Sequence, residues 1–251
     1  MCVIAAKSRG LAFPTRTEIQ ACMAQNRDGF SIAYNKDGKV VTFRTMNPAE
    51  MLSHYLEEVA VLDPATTAMI FHARIATHGT PKISNCHCWT GSGMAFAHNG
   101  VLSQVEVDPN GDMTDSETFF RNLFLPAYEA LGWDYALKMS RTVAGSGSKL
   151  AFLEGDGGMH LVGTYYKVTN ANRPGIVYFS NTNHLHLYDP NTDTLKRACE
   201  PHDIPGGFTL RQSGRGAVRK APSKSPLVLT SKASYRMTPP DDLDLFPAHY
   251  R

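Results

Sequence analysis

Phe71-His72-Ala73-Arg74-Ile75-Ala76-Thr77-His78-Gly79-Thr80 reads as a strand running out into a loop. The apolar part of that strand begins at Ala68, and Asn85-Cys86-His87 follows the loop. A second strand over residues 94–98 leads into Asn99-Gly100, and Thr114-Asp115-Ser116-Glu117 stands at a helix start. Other short apolar or alternating runs predict strands over 2–6, 31–34, 39–44, 149–153, 160–165 and 176–180.

Between them, a helix is predicted from Pro48 to about Val61, with Asn47 as cap, Pro48 in the first helical position and Glu50 completing a capping box. A second runs over 116–131 with Phe119, Phe120, Leu123, Tyr128 and Leu131 on one face and a kink expected at Pro126. A third follows Gly132 over 133–143, and 17–25 is a shorter candidate. Hairpin turns are legible at Asn35-Lys36-Asp37-Gly38 and Gly155-Asp156-Gly157-Gly158, so much of the sheet should be antiparallel. Strands and helices do not alternate regularly, which favours a layered α+β architecture over a doubly wound parallel sheet.

The N-terminus carries the first chemical signal. If Met1 is removed, Cys2 becomes residue one and gains a free α-amino group. The ordinary pKa of such a group, ~7.7–8.0, suits it to act as base for its own thiol. Nucleophile and base then sit in one residue, and what the site still needs is oxyanion donors and substrate anchors.

Both appear downstream. His-x-Arg-x-Ala-Thr-His-Gly at 72–79, His98-Asn99-Gly100 and Asp115-Ser116-Glu117, in this order behind Cys2, closely resemble the class II glutamine amidotransferases, the N-terminal-nucleophile hydrolase domains. The resemblance covers roughly residues 2 to 180 and implies a four-layer αββα sandwich of two mainly antiparallel sheets, with Cys2 at the start of a central strand. It implies that Cys2 attacks the glutamine side-chain amide to form a γ-glutamyl thioester. Asn99 and the Gly100 backbone N–H would hold the oxyanion, and glycine at 100 lets the backbone approach the reacting carbonyl. Arg74 would bind the α-carboxylate with Thr77 and His78 as supporting donors, and Asp115 would accept the α-ammonium.

The sequence departs from the family pattern in three places. Asn26-Arg27-Asp28-Gly29 stands where the family often has Arg-Gly-x-Asp, so Asp28 and Gly29 are loop candidates only. Ile75 replaces an aromatic after the arginine, and Asn85-Cys86-His87-Cys88 replaces Asn-x-His-Pro. Cys-x-Cys lacks the usual spacing of zinc ligands and has no second pair, so no metal and no cofactor is expected. Asp108-Pro109-Asn110-Gly111-Asp112 reads as a turn rather than a calcium loop, because its glycine is misplaced and no glutamate closes it. His184 and His186 alternate on an expected strand surface.

The 251 residues suffice for a substantial core, and 42% hydrophobic against 19% charged residues argues against a mainly disordered chain. No apolar run approaches the ~20 residues of a membrane span, and Lys7 and Arg9-Gly10 interrupt any signal-peptide core. Five cysteines, an odd number, fit a reducing compartment, so a cytoplasmic location is expected. A net charge of +2 does not call for a nucleic-acid partner of the domain.

From Pro205 to Pro240 there are seven Lys or Arg and no acidic residue. The expected organisation is therefore a domain over 2–200 and a basic extension over 201–251 that forms no separate domain. That extension reads as a solvated tail or as a basic arm for an acidic partner or nucleic acid. About fifty residues are too few for an ammonia-accepting synthase domain. Three functions stay open: a glutaminase subunit feeding a separate acceptor synthase, a stand-alone hydrolase of a small γ-glutamyl or related amide, and a catalytically silent binding protein on the same fold.

Overall fold

The computed structural model describes residues 1–76, 80–107 and 113–196. Along the chain, β1 (Val3–Lys7), β2 (Phe30–Lys36), β3 (Lys39–Thr45) and β4 (Met69–Ala73) belong to one sheet. β5 (Trp89–Gly91), β6 (Met94–Asn99), β7 (Lys149–Glu154) and β8 (Met159–Val162) make a second. β9 (Tyr166–Asn170) and β10 (Arg173–Phe179) return to the first, giving the orders β3-β2-β4-β1-β10-β9 and β5-β6-β7-β8. All pairings in both sheets are antiparallel. A small ribbon, β11 (Tyr188–Asp189) with β12 (Thr194–Leu195), packs beside them.

The layering follows from which side chains alternate to which face. In β1, Val3 and Ala5 join a core with Ile19, Met51 and Tyr55 from the flanking helices α1 (Arg16–Gln25) and α2 (Pro48–His54) and the π-helical turn after α2. Ile4 and Ala6 point the other way, into a core shared with Ala95 and Ala97 of β6 and Ala151 and Leu153 of β7. That inter-sheet core is rich in alanine, so the two sheets approach closely. On the outer face of the second sheet, Phe96 and Phe152 pack against Phe119, Phe120 and Phe124 of the segment linking α3 (Asp115–Thr118) to α4 (Leu125–Ala144). Helix, sheet, sheet, helix is thus the observed four-layer order. Strands buried on both faces, such as β1, β4 and β6, read as continuous apolar runs for this reason.

Several elements differ from the sequence expectation. Pro126 directly follows a π-helical turn, Phe119–Phe124, within the helical run that begins at Asp115, and the residue with non-helical backbone is Gly132 with φ 75°. Both long helices contain π-helical turns, at Tyr55–Val59 and Phe119–Phe124. His184 and His186 lie in a 3-10 turn, Asn183–Leu187, with His184 buried against Phe179 rather than on a sheet surface. At about three residues per turn, positions two apart point to different sides, and His186 is accordingly exposed while His184 is buried. The 197–251 region, including Cys199 and the basic stretch, lies outside the described residues, as do Thr77, His78 and residues 108–112. Among the described residues no helix is long and apolar enough to cross a membrane.

Candidate active site

Cys2 sits immediately before β1, half-buried, at the middle of the six-stranded sheet. Its Sγ lies 3.5 Å from the Ile75 carbonyl, toward which the thiol donates, and the Asn181 side chain donates to its carbonyl. Burial pushes the thiol pKa up, opposed by that hydrogen bond, the Arg74 charge and the chain's terminal ammonium. The thiol form is therefore favoured near neutral pH. Met1 is exposed.

The facing strand β6 of the second sheet ends on Asn99. The Asn99 Nδ2 donates to Ser180 Oγ at 2.8 Å, and the same oxygen accepts the Ile4 N–H at 2.8 Å. Ser180 N–H in turn donates to the Ile4 carbonyl at 3.0 Å. One hydroxyl just past β10 thus joins the backbone beside Cys2 to the amide on the other sheet. One of the two Nδ2 hydrogens of Asn99 serves Ser180, leaving the second for another acceptor. Nothing in the sequence marked Ser180, because its role arises only when residues 4, 99 and 180 meet.

Gly100 follows with φ 144°, and a Cβ there would lie 2.5 Å from Ser148 Oγ and 2.8 Å from Ser148 Cα. Only glycine fits. Cys2, Arg74, Ile75, Gly100, Asp115 and the ring of His98 line one narrow crevice of about 30 Å³.

Arg74 follows β4 and is buried; its guanidinium donates to the Thr80 carbonyl at 3.3 Å. Its backbone is clamped to the 26–29 loop: Arg74 N–H donates to Gly29 O and Asp28 N–H to Arg74 O, each at 2.9 Å. Asp28 Oδ2 accepts the Ala76 N–H at 2.7 Å. Gly29 has φ 118°, and a Cβ there would come within 2.5 Å of Cys86 Sγ. The departure from the family pattern at 26–29 therefore still forms a brace under the arginine.

Asp115 opens α3 behind the Thr114 cap. Its Oδ2 accepts the Leu102 N–H at 2.8 Å, and its Oδ1 accepts from Ser116 N–H at 2.8 Å. Those bonds fix the carboxylate while leaving lone pairs for a ligand.

Beneath the crevice, three buried histidine rings stack. His72 and His87 are 3.9 Å apart, and His87 and His98 6.3 Å. The His98 backbone N–H donates to His87 Nδ1 at 3.1 Å, which fixes that nitrogen as the unprotonated one. His98 Nδ1 pairs with Ser116 Oγ at 2.7 Å. Burial holds all three rings neutral, with His72 lowered to about 3, His98 to about 4 and His87 well below its ordinary value. Among the described residues no group of three His, Cys, Asp or Glu is arranged to hold a metal.

The structure thus brings Cys2, Arg74, Gly100 and Asp115 to one crevice and ties Asn99 to it through Ser180. Residues 1–138 match the family model of the class II glutamine amidotransferases. The chain belongs to that family. Among similar proteins, the probable glutamine amidotransferase DUG3 of Saccharomyces cerevisiae is 27% identical over 147 residues, which is 49% of this chain. The match covers only 39% of that relative's length.

Solved structures include the glutamine phosphoribosylpyrophosphate amidotransferase from B. subtilis, at 17% identity and TM-score 0.46, covering 74% of this chain and 43% of that one. A glutamine aminotransferase class-II domain protein from Silicibacter pomeroyi is 18% identical with TM-score 0.39, covering 71% of this chain and 88% of its own.

Proposed function

We propose that this amidotransferase hydrolyses the side-chain amide of L-glutamine through Cys2, freed by removal of Met1, and supplies the ammonia to a separate acceptor enzyme. The observation that carries this reading is the convergence of Cys2, Arg74, Gly100 and Asp115 on one crevice. The relative's description as a probable glutamine amidotransferase supports the same reaction class.

In this mechanism the Cys2 α-amine takes the thiol proton as Sγ adds to the amide carbon. The oxygen, now negative, accepts from the free Nδ2 hydrogen of Asn99 and from Gly100 N–H. The ammonium so formed returns the proton to the leaving nitrogen, the C–N bond breaks, and ammonia departs from a γ-glutamyl thioester. Water then adds to the thioester carbon with the same amine as base; the C–S bond breaks, releasing glutamate and restoring the thiol. Arg74 pairs with the α-carboxylate and Asp115 with the α-ammonium, so a free amino acid is chosen over a protein amide. Thr77 and His78 are proposed as further donors to the substrate. The crevice must widen to admit glutamine, since about 30 Å³ holds little more than one water.

Ammonia becomes mostly ammonium in neutral water, a poor nucleophile, so docking on the acceptor enzyme favours transfer. The basic 205–240 stretch is proposed as a salt-sensitive contact. The test pairs intact mass with glutamine hydrolysis. Cys2→Ala should keep the fold and glutamine affinity and lose turnover, and unchanged turnover overturns the assignment. Retained Met1 in active protein would equally exclude the α-amine as base.

A further inference from the structure

A cleft of about 740 Å³ opens beyond the far end of β1, walled by residues 8–11, α4 and β8. Cys2 precedes β1 and Ser8 follows it, so about five strand residues, roughly 17 Å, separate the cleft from the crevice. β8 is the outermost strand of its sheet, and its outer edge is unpaired among the described residues. The cleft wall is apolar where Leu11, Leu137, Leu161 and Ile176 meet. Trp133 is fixed within it, stacked 4.0 Å from His160 and donating to Glu154 Oε2 at 2.9 Å.

Arg9 and Arg141 stand exposed on the rim, and among the described residues neither guanidinium has a hydrogen-bond or ion-pair partner. Asp134 also lines the cleft and Glu154 stands beside it, held by Trp133 and His160, yet neither carboxylate pairs with Arg9 or Arg141 among the described residues. An apolar slot beside a free strand edge, rimmed by two unpaired arginines, fits an extended segment that alternates carboxylates with aliphatic side chains.

The chain carries such a segment. Asp241-Asp242-Leu243-Asp244-Leu245-Phe246-Pro247 holds the only acidic residues after Pro205. In an extended conformation Asp242 and Asp244 fall on one side and Leu243 and Leu245 on the other. The 44 residues between Lys196 and Asp241 reach, at full extension, well over ~100 Å (~3.3 Å per residue), several times the width of a domain of this size, so they are long enough to join the two. Belonging to the same chain raises the local concentration of the segment and favours a contact that is weak between separate molecules.

We propose that residues 241–247 dock in extended form along the free edge of β8, with Leu243 and Leu245 in the cleft and the aspartates against Arg9 and Arg141. The seven basic residues of 205–240 are then displayed on a loop closed at both ends, away from the acidic segment that would otherwise neutralise them.

The test uses the full chain with Phe246 replaced by the photo-crosslinker p-benzoylphenylalanine, irradiated and mapped by peptide mass spectrometry. Crosslinks within one chain to α4 or to the β7–β8 hairpin are expected. Arg9→Glu with Arg141→Glu should cut their yield about tenfold, as the loss of two exposed ion pairs implies. Adding Asp242→Lys with Asp244→Lys should restore it. Because both arginines are exposed, the melting temperature of the double variant serves as the folding control.

Crosslinks to the 205–240 stretch, or spread over the surface, overturn the proposal. So does a yield that ignores the charge reversals. Crosslinked dimers that vanish on dilution would place the segment in a second copy and overturn the intramolecular contact. Glutamine hydrolysis is read separately, so failure here leaves the glutaminase reading untouched.

Discussion

Ser180→Ala tests whether the hydroxyl shared by the two sheets orients the oxyanion donor. Ser180 Oγ accepts both the Ile4 N–H and Asn99 Nδ2, each at 2.8 Å, and Ser180 is 1% exposed. Its loss leaves two buried donors without an acceptor, at ~1–3 kcal/mol each, less whatever a water recovers. A total of about 2–4 kcal/mol lowers the melting temperature by about 4–16 °C for a domain of this size.

The catalytic effect should be separate. Freed from Ser180, the Asn99 amide can turn its carbonyl oxygen toward the crevice, which would repel the oxyanion. Removal of one oxyanion donor typically costs ~10²–10³ in rate, so partial misorientation should lower kcat about tenfold or more with little change in KM. Ser180→Thr keeps the acceptor and should recover most of kcat. The assay is steady-state glutamine hydrolysis at a temperature where circular dichroism shows each variant folded. A kcat equal to wild type in a folded, destabilised Ser180→Ala protein would make Ser180 structural only and refute the coupling.

Four further outcomes are expected. Gly29→Ala should destabilise the fold, seen as a lower melting temperature, by the ~1–3 kcal/mol of a strained left-handed residue plus its clash with Cys86 Sγ, and Cys86→Ala should return only the clash; full rescue would contradict backbone strain. Arg173→Met alone should cost about 3–5 kcal/mol in urea unfolding, because Glu18, paired at 2.9 Å and buried, loses its counter-charge, whereas Arg173→Met with Glu18→Leu should cost much less. His72, His98 and His184, lowered to about 3, 4 and 3, are neutral in the fold but protonate near 6.5 when unfolded; stability from this source is complete above about pH 6.5 and falls as pH drops toward 3, which a melting series would show and His184→Phe should partly flatten. Arg74→Ala should mainly raise KM for glutamine, and an unchanged KM would remove it from the α-carboxylate.

The strands that read clearly from sequence were those whose apolar runs fill two cores at once, such as 68–72 and 94–98, and those joined by Asp-Gly or Gly-rich hairpins. β5 is three residues long, and β9 has only Tyr166 and Val168 as apolar positions in Tyr166-Lys167-Val168-Thr169-Asn170, too few to make an alternating run. The π-helical turn Phe119–Phe124 directly before Pro126 was not legible, since the apolar spacing around it suits an ordinary helix, whereas the Gly132 break was. His184-Leu185-His186-Leu187 misled because alternation over four residues does not separate a strand from a 3-10 turn. Of the site, Cys2, Arg74, Asn99, Gly100 and Asp115 were legible as motifs. Ser180 was not marked by any motif, and although His72, His98 and Asp28 stood in or beside the quoted motifs, the ring stacking and the brace they form depend on contacts between distant segments that no local pattern encodes.

That division follows from how the site is assembled. Cys2, the proposed nucleophile, leads into β1 of one sheet, and Asn99 and Gly100, the proposed oxyanion donors, lie at the end of β6 of the other, so their separation is set by the core between the sheets. Ala6, Ala33, Ala68, Ala95, Ala97 and Ala151 all lie in that core. Sheets with larger facing side chains pack about 10 Å apart, and replacing small residues with large ones in a filled interior forces backbone shifts. An added methylene in this layer therefore acts on the reaction geometry as well as on stability, even where it touches no substrate. The Ser180 bridge works against such spreading, since its oxygen must stay within 2.8 Å of both Ile4 N and Asn99 Nδ2. A small-residue core brings the two halves of the site together, and one hydroxyl holds them in register.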